Sequence, residues 1–560
     1  METIMRTSAL LETLAAGCLA VFTLVSPAMS ADVASPFAQE RLGTVSFPVS
    51  CSASSQTSFN RGVALLHDFW YEEARPQFES ILKSDPGCSM AHWGIAMSIF
   101  HQIWDRPDEA VMATGWHQLE AAKAHPAKTA LERAYIAALA DFYRPGAKDY
   151  QARIDAYSAA MGKLYAAHPD DVDAGTFYAL SLLAAKAPAD TSLDQERKAM
   201  TVLTPLWAKY SDHPGVVHYI IHACDNPPLA PEALVAARAY GKVAPSGPHA
   251  VHMPGHIFAR LGLWDEDIAA NTASVEASRA AEKRHENGWM DQFHSDDFLV
   301  YAYLQSGQEA KARAVVGDAT AVIAHYEAMP DMATDHYMTG MFPYYRVKLP
   351  IFVDLETRDW AKALVLEPIK AAPPETQTQV YWARTVAAGH LHRPAEALEG
   401  LAAYDALIEE IRKGHHAYYA EGTTTKIQRG EILAWSAFAG GKTEEALKEM
   451  RETADLQDKV GQGEVDIPAR EMLADMLLEA KRPKQALVEY SQALRLSPNR
   501  FNGLYGAGQS AEAADDPIAA RRYYTALLKS TDNGAGSTRP EIAHVKAFTS
   551  TAPVAAVGPR

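Results

Sequence analysis

The chain has 560 residues, of which 48% are hydrophobic and 22% are charged. That balance excludes a largely disordered protein, and the length allows several domains or one long repeat array. The formal net charge is −17 and there is no lysine or arginine block, so nucleic acid is not an expected partner, because phosphate binding needs a basic face.

The N-terminus has the pattern of a secretory signal peptide, in which an apolar stretch is followed by the small residues Ala28 and Ser30. We expect residues 1–30 to be removed, which leaves residues 31–54 as a linker and places the protein in the periplasm or outside the cell. Attachment of a lipid at Cys18 is an alternative. No later segment is long and apolar enough to span a bilayer, so no integral membrane span is expected after cleavage.

Three cysteines would remain after that cleavage. Cys51 precedes the first helix of a predicted hairpin and Cys88 follows the second. Antiparallel helices bring those two ends together, so the sequence predicts a Cys51–Cys88 disulfide in an oxidising compartment. Cys224 is predicted to be a small buried hydrophobic residue.

Helical hairpins with a period near 34 residues follow along the chain. In the first hairpin, small Gly62 and Ala74 allow two helices to approach closely, and Phe78 fills the gap between them. Near the C-terminus three helix positions recur after 34 residues: Ala486, Tyr490 and Ala493, then Ala520, Tyr524 and Leu527. This period is typical of the tetratricopeptide (TPR) repeat.

The predicted fold is all-α, a right-handed TPR-type solenoid of helical hairpins with irregular insertions. Residues 55–320 form a predicted N-terminal TPR-like array with a histidine-lined groove, and residues 321–375 an irregular helical connector. Residues 376–532 form the predicted C-terminal array, and residues 533–560, rich in small residues and proline, a flexible tail.

Two histidine pairs are the most specific chemical feature of the sequence. His218 and His222 lie four residues apart, and His252 and His256 repeat that spacing 34 residues later. A spacing of four places two side chains on one face of a helix, and the 34-residue shift places the pairs on equivalent helices. The four imidazoles are predicted to face one groove.

Neighbouring repeats supply further candidates on the same line of helix positions. His249 and His294 are possible additional ligands, while Asp297 and Tyr301 are candidate catalytic proton-transfer groups. In the first two repeats His67 and His101 are again 34 residues apart. They are predicted groove residues together with Trp93, for which packing between repeats is the alternative.

A paired HxxxH arrangement predicts a transition-metal site of three or four histidines, suited to zinc, copper or iron. Two alternatives remain open. The histidines could line a groove that binds a peptide, protein or small ligand, or they could be structural groups bonded to neighbouring helices. Adjacent helices lie about 10 Å apart, so side chains from both must lean inward to share one ion.

The chain resembles bacterial secreted TPR-domain proteins over most of its length after residue 50, and five motifs carry the resemblance. They are Cys51-Ser52, Phe69-Trp70-Tyr71-Glu72-Glu73-Ala74, Asp85-Pro86-Gly87-Cys88-Ser89-Met90-Ala91-His92-Trp93-Gly94, His213-Pro214-Gly215 to His222, and His252-Met253-Pro254-Gly255-His256-Ile257. The resemblance implies a periplasmic or secreted helical-repeat protein, and it supplies no reaction.

Three functional hypotheses follow from the sequence. The first is a secreted TPR scaffold that binds a ligand or partner in its histidine-rich groove, with a transition metal there. The second is a metal-dependent enzyme that uses the same four histidines and an open coordination position. The third is an adaptor of an envelope complex without chemistry of its own.

Overall fold

The computed structural model describes residues 40–104, 106–146, 149–187, 190–329, 336–414, 416–461 and 465–551. The predicted signal peptide, with Cys18, and residues 31–39 of the predicted linker lie outside these residues. Within the described residues the secondary structure is helical and contains no strand. The predicted all-α array of helical hairpins is therefore confirmed.

Eight helices form the first four hairpins: α1 Gln56–His67, α2 Tyr71–Ser84, α3 Ser89–Ser98, α4 Glu109–Ala124, α5 Ala130–Tyr143, α6 Tyr150–Ala167, α7 Val172–Ala184 and α8 Asp194–Lys209. The next seven helices carry the histidine pairs and their neighbours: α9 Pro214–Cys224, α10 Ala230–Val243, α11 Pro248–His252, α12 Pro254–Leu261, α13 Trp264–Lys283, α14 Trp289–Gln305 and α15 Glu309–Glu327.

The remaining helices complete the array: α16 His336–Glu356, α17 Trp360–Leu364, α18 Pro374–His390, α19 Pro394–Ile411, α20 Ala417–Ala420, α21 Thr423–Ala439, α22 Thr443–Val460, α23 Ala469–Glu479, α24 Pro483–Leu496, α25 Phe501–Ala513, α26 Pro517–Ser530 and α27 Pro540–Ser550. Two short 3₁₀ helices, Ala53–Ser55 and Asp532–Gly534, precede α1 and follow α26. Within the described residues, no helix is long and apolar enough to cross a membrane.

In the hairpins, small residues on one helix face large aromatic rings on a neighbouring helix, and this allows the two helices to approach closely. A Cβ at Gly62 would lie 2.6 Å from Cζ of Phe78, and one at Gly94 would overlap the same ring. The pair Gly508 and Tyr524 repeats this fit near the C-terminus. The packing predicted for the first hairpin is therefore confirmed.

The array curls so that its first hairpin meets a helix about 150 residues further along the chain. Helix α1 packs against α9, and the Tyr240 hydroxyl donates a hydrogen bond of 2.8 Å to Oδ1 of Asp68. Gly215 permits this contact, because a Cβ there would overlap the His67 ring. The turn between α1 and α2 thereby reaches the helices that carry the histidine pairs.

The predicted disulfide is present, with Cα atoms of Cys51 and Cys88 4.9 Å apart. Cys224 is free and buried, with its sulfur 3.5 Å from that of Met200. Burial raises the pKa of the Cys224 thiol to about 12, so it behaves as the predicted hydrophobic residue and not as a nucleophile.

The predicted linker and the predicted tail each contain buried apolar side chains. In the predicted linker, Leu42 and Phe47 are buried, and Phe47 packs 5.5 Å from the Trp93 ring. In the predicted flexible tail, α27 buries Ile542 and Val545 in an apolar cluster with α25 and α26. In the described part of each segment, a few large apolar side chains anchor the backbone to the neighbouring helices.

Candidate metal centre

The two predicted histidine pairs lie on successive helices of the array. His218 and His222 occupy one face of α9, whereas His252 ends α11 and His256 lies in α12. The backbone runs through Met253 with right-handed helical dihedral angles, so the four-residue spacing still places both side chains on one face. The predicted HxxxH geometry is present in both pairs.

The structure divides the histidines into two sets of three. The first histidine set comprises His218, His222 and His249, and the second histidine set comprises His252, His256 and His294. Within each set one ring nitrogen of every member lies within 4.8 Å of the others. The four predicted ligands therefore do not form one compact group, and the suggested additions His249 and His294 each complete one pair.

Helix α11 joins the two sets, because His249 and His252 lie three residues apart on it. Their ring centroids are 5.9 Å apart. His249 reaches back to His218, at 5.1 Å between centroids, and His252 reaches forward to His294 at 4.3 Å. The six imidazoles thus form one continuous cluster.

In the second set, the outer ring nitrogens of the pair have fixed partners. Nδ1 of His252 lies 2.6 Å from Oδ1 of Asn271, and Nδ1 of His256 lies 2.8 Å from Oδ2 of Asp225. The Asn271 amide nitrogen donates to the backbone oxygen of Asp267 at 3.0 Å, which leaves the amide oxygen facing His252. Both partners are acceptors, so both Nδ1 atoms must carry the proton.

That proton assignment leaves both Nε2 atoms of the second pair as bare lone pairs. They face each other at 2.9 Å, which is an unfavourable contact unless a cation lies between them. Burial holds the pKa of His252 well below its ordinary value of 6.5, and the neighbouring His294 and His256 lower it further. A metal ion between the two nitrogens would relieve this contact.

The first set has a similar pair but fewer outer partners. Nδ1 of His218 donates to the backbone oxygen of His67 at 2.5 Å, and its Nε2 lies 3.0 Å from Nε2 of His222. Neither ring nitrogen of His249 has a hydrogen-bond partner although both are buried. The nearest carboxylate oxygen, from Asp291, is 3.4 Å from Nδ1.

Burial divides the cluster into an inner part and an open edge. His218, His249, His252 and His256 are buried, with at most 8% of each residue exposed. One member of each set, His222 or His294, is partly exposed. Ions and small solutes could therefore reach the cluster from this edge.

One phenylalanine covers each set. The Phe69 ring is stacked on His222 at 5.3 Å and on His249 at 5.6 Å, while Phe298 lies 4.8 Å from His252 and 4.7 Å from His256. Phe69 has φ of +57°, a left-handed conformation that is costly for a bulky side chain. Equivalent turns elsewhere use residues such as Gly262.

Behind the first set lies a buried network that sequence analysis did not anticipate. Nε2 of His67 lies 2.9 Å and Nε2 of His213 lies 3.3 Å from Oδ1 of Asp173. Burial acts to raise the pKa of Asp173, but hydrogen bonds from His213 and His67 outweigh it and lower the pKa to about 2. The network fixes His67, whose carbonyl orients His218.

The predicted groove residues are distributed between this network and the core. His67 is fully buried and joins the Asp173 network. His101 is partly exposed and stacks on Tyr71 at 4.6 Å between centroids. Trp93 is buried among aromatic rings, including Tyr135 at 5.6 Å, which corresponds to the packing alternative.

The predicted catalytic candidates lie on α14 but engage other partners. Oδ2 of Asp297 accepts a hydrogen bond of 2.5 Å from Nζ of Lys348. The Tyr301 hydroxyl is bonded to Arg500 and to the backbone oxygen of Asp466, and burial raises its pKa above the ordinary range. On the same helix, His294 belongs to the second histidine set and contacts His252. Phe298, four residues later, contacts His252 as well.

Two residues that sequence analysis missed, Asp225 and Asn271, hold the second set in place. Asp225 also accepts a hydrogen bond of 2.9 Å from Arg260. Burial acts to raise the Asp225 pKa, but Arg260 and His256 outweigh it and hold the pKa below its usual range. The sequence did contain a signal for Asp225, because it lies three residues after His222 and metal-bound imidazoles commonly donate a hydrogen bond to a nearby carboxylate.

Comparison with known proteins yields no family for this chain. No protein-family model matches the sequence, and no curated protein matches it. Among solved structures, the TPR domain of P58(IPK) is 14% identical, with 68% of this chain and 98% of that chain covered and a TM-score of 0.20.

Two further solved structures share low identity. Naa15/Naa10 bound to HypK-THB is 12% identical, with 88% and 73% of the two chains covered and a TM-score of 0.22. The human IFIT1 dimer with PPP-AAAA is 11% identical, with 79% and 90% covered and a TM-score of 0.34. Similarities at this level carry no argument about function, so the functional argument rests on the histidine cluster itself.

Proposed function

We propose that this protein binds transition-metal ions through the two histidine sets, within a TPR-type scaffold that acts in the periplasm or outside the cell. The observation that carries the proposal is the 2.9 Å approach of two lone-pair nitrogens, Nε2 of His252 and Nε2 of His256. An ion about 2.1 Å from both nitrogens would replace this repulsion by two bonds.

Buried His249 supports the same proposal from the first set. A buried polar nitrogen without a hydrogen bond is destabilising by about 1–3 kcal/mol, and His249 has two such atoms. One of its nitrogens lies within 4.8 Å of nitrogens on His218 and His222. Coordination of an ion would satisfy that nitrogen and use the pair as well.

The ligand chemistry limits the choice of metal. All six candidate ligands are imidazoles, which favour zinc, copper, nickel and iron over magnesium and calcium. Nitrogens 2.9 Å apart subtend about 90° at an ion about 2.1 Å away, an angle that suits tetragonal Cu(II) better than tetrahedral zinc. Copper is therefore the first metal to test, with zinc and iron after it.

A metal-dependent enzyme is the second candidate function. Three protein ligands leave a coordination position open for water or substrate, as catalytic metal sites require. The partly exposed His222 and His294 give such a position access to solvent. Asp297 and Tyr301 stay predicted proton-transfer groups, although their observed partners are Lys348 and Arg500.

Partner binding by the helical array remains the broader part of the proposal. Arrays of helical hairpins present concave surfaces that bind proteins, peptides or small ligands. The burial of four of the six histidines favours metal ligation over direct contact with such a partner. The Cys51–Cys88 disulfide supports an oxidising compartment, whether the protein acts alone or as an envelope adaptor.

The proposal is tested by measuring the metal content of protein purified without a histidine tag. The apoprotein is reconstituted separately with copper, zinc and iron, desalted and analysed by mass spectrometry of the elements. A His252→Ala/His256→Ala double variant is compared with a His117→Ala/His168→Ala control, which removes two exposed histidines. Metal retained by the wild type and the control but reduced in the cluster variant supports the proposal, and near-zero metal in the wild type rejects it.

A further inference from the structure

The two histidine sets are too close to be treated as independent. His249 of the first set and His252 of the second are three residues apart on one helix, and their ring centroids are 5.9 Å apart. Side chains at this spacing lie side by side on a helix surface. Ions held by the two sets would therefore be close neighbours.

The charge balance of the cluster calls for an additional anion. Six neutral imidazoles contribute no negative charge, and two divalent ions bring four positive charges. Two carboxylates reach the sets, from Asp225 and Asp291, and Arg260 pairs with the first of them. Even with both carboxylates ionised, about three positive charges remain in a largely buried cluster, which is strongly unfavourable without a counter-ion.

Two further carboxylates near the cluster are engaged by other side chains. Asp173 is bonded to His67 and His213, and Asp297 is paired with Lys348. A small anion from solution would supply the missing negative charge at the partly exposed His222 and His294.

We infer that the two sets form one dinuclear centre whose two ions share a single small bridging anion. Water supplies this anion as hydroxide when it bridges the ions and releases one proton to solvent through the exposed edge. Other small anions, such as azide, compete for the same position. The inference rests on the proposed metal binding and adds to it the number of ions, their separation and the class of ligand between them.

The separation of the ions is the first test. Crystals of the full chain loaded with Cu(II) are measured at the copper absorption edge, and the anomalous peaks are located. Two metal–oxygen bonds of about 2.0–2.2 Å limit a one-atom bridge to a separation of about 4.4 Å, and two-metal sites are typically about 3.5–4 Å apart. We expect two peaks within this limit.

The number of bridging anions is the second test, with azide as the probe. Azide is titrated into the copper-loaded protein and followed by its charge-transfer absorption. We expect one azide for two copper ions. Replacing one partly exposed ligand of either set, by His222→Ala or His294→Ala, is expected to weaken azide binding at least tenfold, because a bridge needs both ions.

The outcomes separate this inference from the proposed function. Two ions farther apart than this limit of about 4.4 Å, or one azide for each ion, would leave two mononuclear sites and overturn the inference while metal binding stands. One ion per chain would do the same. No bound copper, zinc or iron would overturn the proposed function itself. The His117→Ala/His168→Ala variant is expected to match the wild type throughout.

Discussion

The first and second histidine sets contain the same ligand type and the same HxxxH pair, yet they differ in how firmly the rings are held. In the second set Asn271 and Asp225 fix both pair members through Nδ1. In the first set only His218 has such an anchor, while His249 has none. The second set is therefore already arranged for an ion, and the first set requires the ion to fix its third ligand.

This difference predicts an order of binding. A site whose ligands are already oriented loses less conformational freedom when it binds, so the second set should take the first ion. The ion in the first set should follow with lower affinity, and its positive charge should be tolerated once an anion lies between the two ions. Substitutions in each set should reveal this order of metal binding.

Deleting one pair at a time should affect the tightest binding event unequally. At one equivalent of copper, His218→Ala/His222→Ala should bind with nearly wild-type affinity, because the second set is intact. His252→Ala/His256→Ala should bind about 10–100-fold more weakly, since only the loosely held set remains. Competition with a chromophoric chelator measures both, and circular dichroism confirms that each variant is folded. The reverse order of affinities would contradict the comparison.

Changing the carboxylate near each set should also have unequal effects. Asp225→Asn retains an acceptor oxygen but loses the charge that polarises His256, so copper affinity should fall about 10–100-fold. Asp291→Asn is the matched control, because Asp291 lies 3.4 Å from His249 without a hydrogen bond, and its effect should stay within a few-fold. Equal losses in the two variants would show that hydrogen bonding does not distinguish the sets.

The two covering phenylalanines should respond in opposite ways to glycine and alanine. Phe69 has φ of +57°, where glycine is unstrained, so Phe69→Gly should be more stable than Phe69→Ala by about 1 kcal/mol. Phe298 lies within helix α14, so Phe298→Gly should be less stable than Phe298→Ala by about 1 kcal/mol. Urea unfolding of the apoprotein measures all four, and the same sign at both positions would refute the proposed strain at Phe69.

Replacing Gly255 or Gly215 by alanine is the smallest change, and each of these glycines lies behind one histidine set. A Cβ at Gly255 would lie 2.5 Å from Nδ2 of Asn271 and should weaken the second set about tenfold by displacing that amide. A Cβ at Gly215 would overlap the His67 ring and should weaken only the first set. Copper titrations that resolve two binding events assign each effect, and loss of both events from either variant would indicate general unfolding.

The sequence was sufficient to predict the repeat fold and the histidine pairs, because both depend on local periodicity. A four-residue spacing defines one helix face, and the 34-residue period places His218 and His252 on equivalent positions. The same reasoning assigned Asp297 and Tyr301 to the line of His294. In the structure Asp297, three residues after His294, points toward Lys348. Phe298, four residues after His294, is the residue that contacts His252.

The division into two sets could not be predicted because it depends on contacts between distant segments. Helix α1 must pack against α9 before the His67 carbonyl can orient His218, across 151 residues of sequence. Phe69 reaches the first set only through the same curl of the array. Asp225 and Asn271 are common polar residues, and only the fold places them against His256 and His252.

X-ray absorption at the copper edge tests the central claim most directly, because it reports the atoms bound to the ion. For the loaded full-length protein, we predict about three imidazole nitrogens per ion at about 2.0 Å, with the multiple-scattering pattern of histidine rings. The pattern should be unchanged in His117→Ala/His168→Ala and lose imidazole scattering in a variant that lacks both pairs, His218→Ala/His222→Ala/His252→Ala/His256→Ala. A shell of oxygen or sulfur without imidazole scattering would contradict the assignment of the two histidine sets as a metal centre.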